Sequence, residues 1–338
     1  MMRFPKLTLT LTVLGGVLLT SPVWSTRGGK SDSEDIADLS GKHALTNKEF
    51  RRLILKNMKK REIIDLSQNT FDDETVVKMS KALESNRTVK TLTLAECKIN
   101  GIQAITLFEK GLPTNNSLEN LDLSHNEITG TGIVSLSRVL PRNTALVSLK
   151  LSQNPIGPDV GPQIGKALEG NHHLKKLELG QVGLDDIALG HIVKGLNQNS
   201  SLSDFDLSDN PLGNGGAINI KWVLHQNNTL QTLDLSRCNI RDAGLEAIGS
   251  GLKRNKGLDE LRLAGNLFGD EALKKFEKRI TKAGFGFDRK TYIVTRTAPP
   301  LTKAKKEPKS KKLSNGISHT NGTSSQKLKS KENGKSNN

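Results

Sequence analysis

Seven histidines, two cysteines and 35 carboxylates are the side chains on which catalysis or metal binding would rest in this 338-residue chain. No histidine falls in an H-E-x-x-H pattern or at Cys–His spacing, so a nitrogen–sulfur metal site has no ligand set. His172-His173 lies between sequence repeats and reads as a solvated pair. The chain lacks a G-x-x-x-x-G-K-[ST] phosphate loop and a G-x-S-x-G elbow. The acidic side chains are more suggestive. Asp204, Asp206, Asp209, Asp234 and Glu260, with Arg237 among them, fall at related places in successive repeats. They lack the loop spacing that a hard cation needs, but they fit a docking patch for a basic protein surface. The sequence therefore predicts a non-enzyme with no cofactor, no metal and no small-molecule substrate.

What must position these residues is a repeat. Leu118-Glu-Asn-Leu121-Asp-Leu123-Ser-His-Asn126 returns as Leu146…Leu149-Lys-Leu151-Ser-Gln-Asn154 and as Leu202…Phe205-Asp-Leu207-Ser-Asp-Asn210. Unit starts fall at 61, 89, 118, 146, 174, 202, 230 and 258, at intervals of 28 with a single 29 in the second unit. Positions 4 and 6 of each unit are apolar around a polar residue, the period of a half-buried strand. Position 9 is Asn in five of the eight units, suited to pairing backbone groups in the turn that follows. The second half is helical, as in Gly244, Leu245, Ile248 and Leu252, with Asn255 ending the helix. No unit buries its face alone, so the core requires stacking.

These motifs resemble the leucine-rich repeat family, in the long 28-residue class of ribonuclease inhibitor and Ran GTPase-activating proteins. The resemblance covers residues 61–285 and implies an α/β fold. That fold is a curved right-handed solenoid with a parallel sheet on the concave face and helices on the convex face. It also implies that the concave strand residues contact a partner protein, which places Asp204, Asp206, Asp209, Asp234, Arg237 and Glu260 as the candidate contacts. A second reading is a GTPase-activator-like regulator, although that family carries an acidic tail and this chain a basic one. A repeat stack of this kind is expected to be a monomer.

The ends of the stack need covers. Residues 46–60 read as an N-terminal capping helix, with Thr46 as its cap and Phe50, Leu53, Ile54 and Met58 at helical spacing. Residues 286–296 read as a C-terminal cap with a last strand. Four of the twelve aromatics lie between Phe276 and Tyr292, next to an open core end. Cys97 and Cys238 both replace the position-9 Asn, five repeats apart. At about 4.8 Å per strand they stand over about 20 Å apart, beyond disulfide reach. Val182 replaces the same Asn, which predicts an irregular turn at Gln181-Val182-Gly183. Of five N-x-S/T sequons, those at Asn86, Asn115, Asn199 and Asn227 occupy the helix-ending position of the repeat, so the repeat itself generates them; the fifth is at Asn321.

Composition completes the outline. Residues 1–25 read as a signal peptide, with Arg3 and Lys6 ahead of an uncharged Leu7–Leu19 stretch and small residues at Val23 and Ser25. Residues 26–45 read as a flexible lead-in and 297–338 as a disordered basic tail. The expected location is secreted or exported, periplasmic or extracellular, and a bacterial protein acting on a host target is one possibility that follows. The formal charge is +15. The leader holds +2 of it and the tail +8, which leaves +5 for residues 26–296. With one Tyr and two Trp, the chain lacks aromatic interleaving for specific nucleic-acid binding. A weak anionic-surface contact through the tail, as in an adhesin, is the third reading.

Overall fold

The computed structural model describes residues 35–42 and 47–297. The signal peptide, Thr46 and the tail beyond Thr297 lie outside the described residues. Nine short parallel strands stack in sequence order. They are β1 (Ile36–Asp38), β2 (Ile63–Asp65), β3 (Thr91–Thr93), β4 (Asn120–Asp122), β5 (Ser148–Lys150), β6 (Lys176–Glu178), β7 (Asp204–Asp206), β8 (Thr232–Asp234) and β9 (Glu260–Arg262). A helix follows each strand: α1 (Asn47–Met58), α2 (Asp73–Ser85), α3 (Gly101–Thr106), α4 (Gly130–Val139), α5 (Gly161–Gly170), α6 (Asp186–Leu196), α7 (Gly213–Gln226), α8 (Asp242–Leu252) and α9 (Asp270–Thr281). The result is an α/β solenoid with sheet on one face and helices on the other. Among the described residues no helix is long and apolar enough to cross a membrane.

The core follows from the repeat. The middle residues Leu92, Leu121, Leu149, Leu177, Phe205, Leu233 and Leu261 are buried and pair in register from strand to strand. Helix residues such as Leu245, Ile248 and Leu252 close the same core from the other side. Two asparagine ladders run along it. Asn126 donates Nδ2 to the carbonyls of Leu94 (2.8 Å) and Leu123 (2.9 Å), while its Oδ1 accepts from the N–H groups of Cys97 (3.0 Å) and Ile99 (2.9 Å). Each ladder Asn thus ties its own turn to the unit before it. The helix-ending Asn171 does the same, donating to Leu140 O at 2.7 Å and accepting from Leu174 N at 2.8 Å. Asn86, Asn115, Asn199 and Asn227 hold equivalent bonds in buried positions. Those four sequons are therefore structural, and their amides are occupied in the folded chain.

Cys97 and Cys238 are free and buried. Each thiol stands in for the Asn amide. Cys97 Sγ reaches Leu66 O at 3.1 Å, and Cys238 Sγ reaches Leu207 O at 3.3 Å. Burial pushes both thiols up to about 12, so neither is a nucleophile at neutral pH. The irregular turn expected at Val182 is present, and the two cysteine turns share it. Position 8 has positive φ in every unit, but position 10 does so only after Cys97, Val182 and Cys238, at Lys98, Gly183 and Asn239. Without Asn at position 9 the backbone turns a second time into the left-handed region, which Gly and Asn adopt at low cost.

Three features differ from the sequence reading. The lead-in expected over 26–45 contains β1, paired parallel to β2 with Ala37 opposite Ile64. Ala37 and Leu39 are buried at the repeat's two apolar positions, and Asn69 accepts from Lys42 N at 2.9 Å. Helix α1 is thus the helix of a ninth coil, preceded by a strand of its own. At the other end, the single closing strand expected in 286–296 is a hairpin of β10 (Phe285–Asp288) and β11 (Ile293–Arg296). β11 pairs antiparallel with β9, so the sheet is not parallel throughout. Arg296 lies 4.5 Å over the Phe285 ring and donates Nε to Leu258 O at 2.8 Å. It also reaches Asn255 O at 3.3 Å, the carbonyl that a further ladder Asn would have taken. Finally, the extra residue of the second unit is absorbed as a π-helical turn, Leu107–Gly111, extending α3. A single inserted residue in a helix widens one turn in this way and leaves the phase on either side intact.

Candidate protein-binding surface

The strands bring the six sequence-selected residues together. Asp204 and Asp206 lie on β7, Asp234 on β8 and Glu260 on β9, with Asp206 directly opposite Asp234. Asp209 and Arg237 occupy the turns after β7 and β8, each held at positive φ.

The Leu-Asp-Leu-Ser pattern has a local job first. The carboxylate of Asp206 accepts from Ser208 N at 2.8 Å, and that of Asp234 from Ser236 N at 2.8 Å. Asp65 and Asp122 do the same in their own units. One oxygen of each position-5 Asp is therefore used to close its turn.

Several of the remaining charges pair among themselves. Arg237 grips Asp209 with two bonds of 2.5 Å. Arg262 reaches Glu260 at 2.7 Å and Asp234 at 3.6 Å. Arg262 was not among the contacts selected from sequence; its place on β9, in register with Asp234, was the available signal. Lys150 similarly sits between Asp122 (3.4 Å) and Glu178 (4.0 Å). The expected acidic cluster is thus present but partly neutralised. Five carboxylates against two arginines leave −3 on this part of the sheet.

Asp206, like Asp204, has no such partner among the described residues. Among the described residues no cation lies within ion-pair distance of it, and its strand neighbours are Glu178 and Asp234. Desolvation first, and then the charges of Asp234 and Glu178, hold its carboxyl above the usual range. Among the described residues Asp204, one residue before Phe205, accepts only from Ser203 Oγ, at 2.6 Å. Among the described residues no group of His, Cys, Asp or Glu is arranged to hold a metal ion.

A sequence profile of the leucine-rich repeat family matches residues 114–137, 198–221 and 226–249. Each window opens four residues before a unit start, in phase with β4, β7 and β8. The chain carries leucine-rich repeats. Solved leucine-rich repeat structures resemble it in part. An internalin from Listeria monocytogenes is 19% identical over 66% of this chain and 61% of its own, with a TM-score of 0.39. The tropomodulin C-terminal domain of Caenorhabditis elegans is 16% identical over 44% of this chain and 92% of its own, with a TM-score of 0.35. The actin-binding site 2 region of leiomodin-1 is 28% identical over 38% of this chain and 75% of its own, with a TM-score of 0.34. No curated protein sequence matches the chain.

Proposed function

We propose that this is a non-catalytic, exported leucine-rich repeat protein that binds a partner protein through the sheet face of β6–β9. The observation that carries the reading is Asp206. A half-buried carboxylate, flanked by Glu178 and Asp234 and without a salt bridge among the described residues, has its charge only partly compensated, by Ser208 N and the more distant Arg237. A basic side chain of a partner would relieve it, and the neighbouring Asp204 and Asp209–Arg237 pair would frame the contact. The rigid stack presents these groups without ordering cost, which favours a protein-sized ligand over a small one.

The test is affinity capture with the full chain, comparing the natural protein with an Asp204→Lys/Asp206→Lys variant. A protein retained specifically by the former and weakened at least about tenfold in the latter supports the reading. Equal retention by both refutes the choice of face.

A further inference from the structure

The helical face of the last repeats carries the opposite charge, and its chemistry differs from that of the sheet. Between α7, α8 and α9 lies a cleft of about 870 Å³, lined by Lys221, Lys253, Lys275, Lys278, Lys282 and Arg279. Its single acidic lining residue, Glu246, is engaged by Arg279 at 3.1 Å. None of the five lysines has a carboxylate partner among the described residues. On the rim, Ile218 and Trp222 stand one helical turn apart on α7, each 50% exposed. Lys221 Nζ lies 5.6 Å from the Trp222 ring centroid. The same ring meets His225 edge-on, and His225 contacts the carbonyl of Ser250 in the cleft lining.

We propose that this convex cleft docks on an anionic phospholipid surface. An exposed tryptophan and isoleucine beside flexible ammonium groups is the composition of an interfacial surface. The apolar pair enters the headgroup layer while lysines reach the phosphates. Basic recesses between helices hold anionic headgroups for the same reason. A nucleic acid would find one stacking ring here, and the cleft's long side chains end in ammonium groups suited to phosphates and not to base edges. The contact is peripheral and lies on the folded domain. It is independent of the tail and of the sheet face.

The test uses the full chain in co-sedimentation with phosphatidylcholine–phosphatidylserine vesicles and with pure phosphatidylcholine vesicles. Binding to the anionic vesicles alone is expected, and Lys275→Glu/Lys278→Glu should lower it at least about tenfold. A control pair on exposed lysines of the early repeats, Lys59→Glu/Lys81→Glu, changes net charge equally and should alter binding less than about twofold. In a Trp24→Phe background, Trp222 emission should shift to the blue on adding anionic vesicles. Equal losses from both lysine pairs, or no loss from the first, would overturn the proposal in favour of net charge or the tail. Absence of the blue shift would overturn the apolar part. Binding of duplex DNA that the first pair abolishes, with vesicles ignored, would reassign the cleft to nucleic acid.

Discussion

A single carboxylate can reveal what a surface is built to meet. Asp206 is held above the usual carboxylate range by burial and by its two acidic neighbours, so the folded chain binds its proton more tightly than the unfolded chain does. The stability cost appears as pH rises from the ordinary value of 3.8 through the raised one, and it is fully present at neutral pH. Asp206→Asn keeps an acceptor for Ser208 N and removes the charge. It should raise the melting temperature at pH 7 by about 2 °C and leave it unchanged near pH 3. A loss of stability at pH 7, measured by calorimetry, would mean that the charge is satisfied in solution. The same residue shows why the sheet face was only partly legible. The spacing of Asp204, Asp206, Asp209, Asp234 and Glu260 put them at one end of the sheet, where β7–β9 hold Asp204, Asp206, Asp234 and Glu260 on paired strands. Whether Arg237 and Arg262 reach across to neutralise them depends on side-chain reach from adjacent strands, which spacing alone does not give.

Elements carry the repeat's tolerance and its limits. The π-helical turn at Leu107–Gly111 holds one residue more than the regular unit. Deleting the exposed Lys110 should restore the 28-residue interval and change stability by no more than about 1 kcal/mol. Deleting the equally exposed Glu246 from the regular helix α8 should cost more than about 4 kcal/mol, because Ile248 and Leu252 would leave the core. Chemical denaturation of the two deletions checks this, and similar losses would show that the wide turn is not spare length. Between α5 and α6 there is no such slack, since a Cβ on Gly195 would fall 1.9 Å from Gly165 O. The regular strands and helices were readable because leucine periodicity and the ladder asparagines repeat in phase. β1 was not, because it has Ala37 in place of a leucine and Lys42 where the ladder Asn belongs. The terminal hairpin was also hidden. Its turn at Asp288–Tyr292 has no Asn-Gly or Gly-Gly signal, and its direction is set by the unpaired edge of β9.

At the scale of the whole domain, the last three units are polarised through their thickness. The sheet side carries −3 around β7–β9, while the helix side of the same units gathers five unpaired lysines. A chain of one-neighbour contacts can therefore present two chemistries back to back without either disturbing the other. The two ends are also unequal. The C-terminal end is sealed by an antiparallel hairpin with Arg296 clamped across Phe285 and Asn255. Among the described residues the sheet begins at the three-residue β1, where Ile36 is 48% exposed. This asymmetry gives the stack a direction under mechanical load. Pulled from its termini, it should yield first at β1 and α1 and then lengthen coil by coil, each step releasing about 90–100 Å of chain for one repeat. Single-molecule extension traces would show a staircase climbing toward the hairpin, with the last and strongest step belonging to β9–β11. Rupture beginning at the hairpin would reverse that order. Stretched this way, the chain would pay out length from one end while the hairpin-sealed coil at the other stays folded.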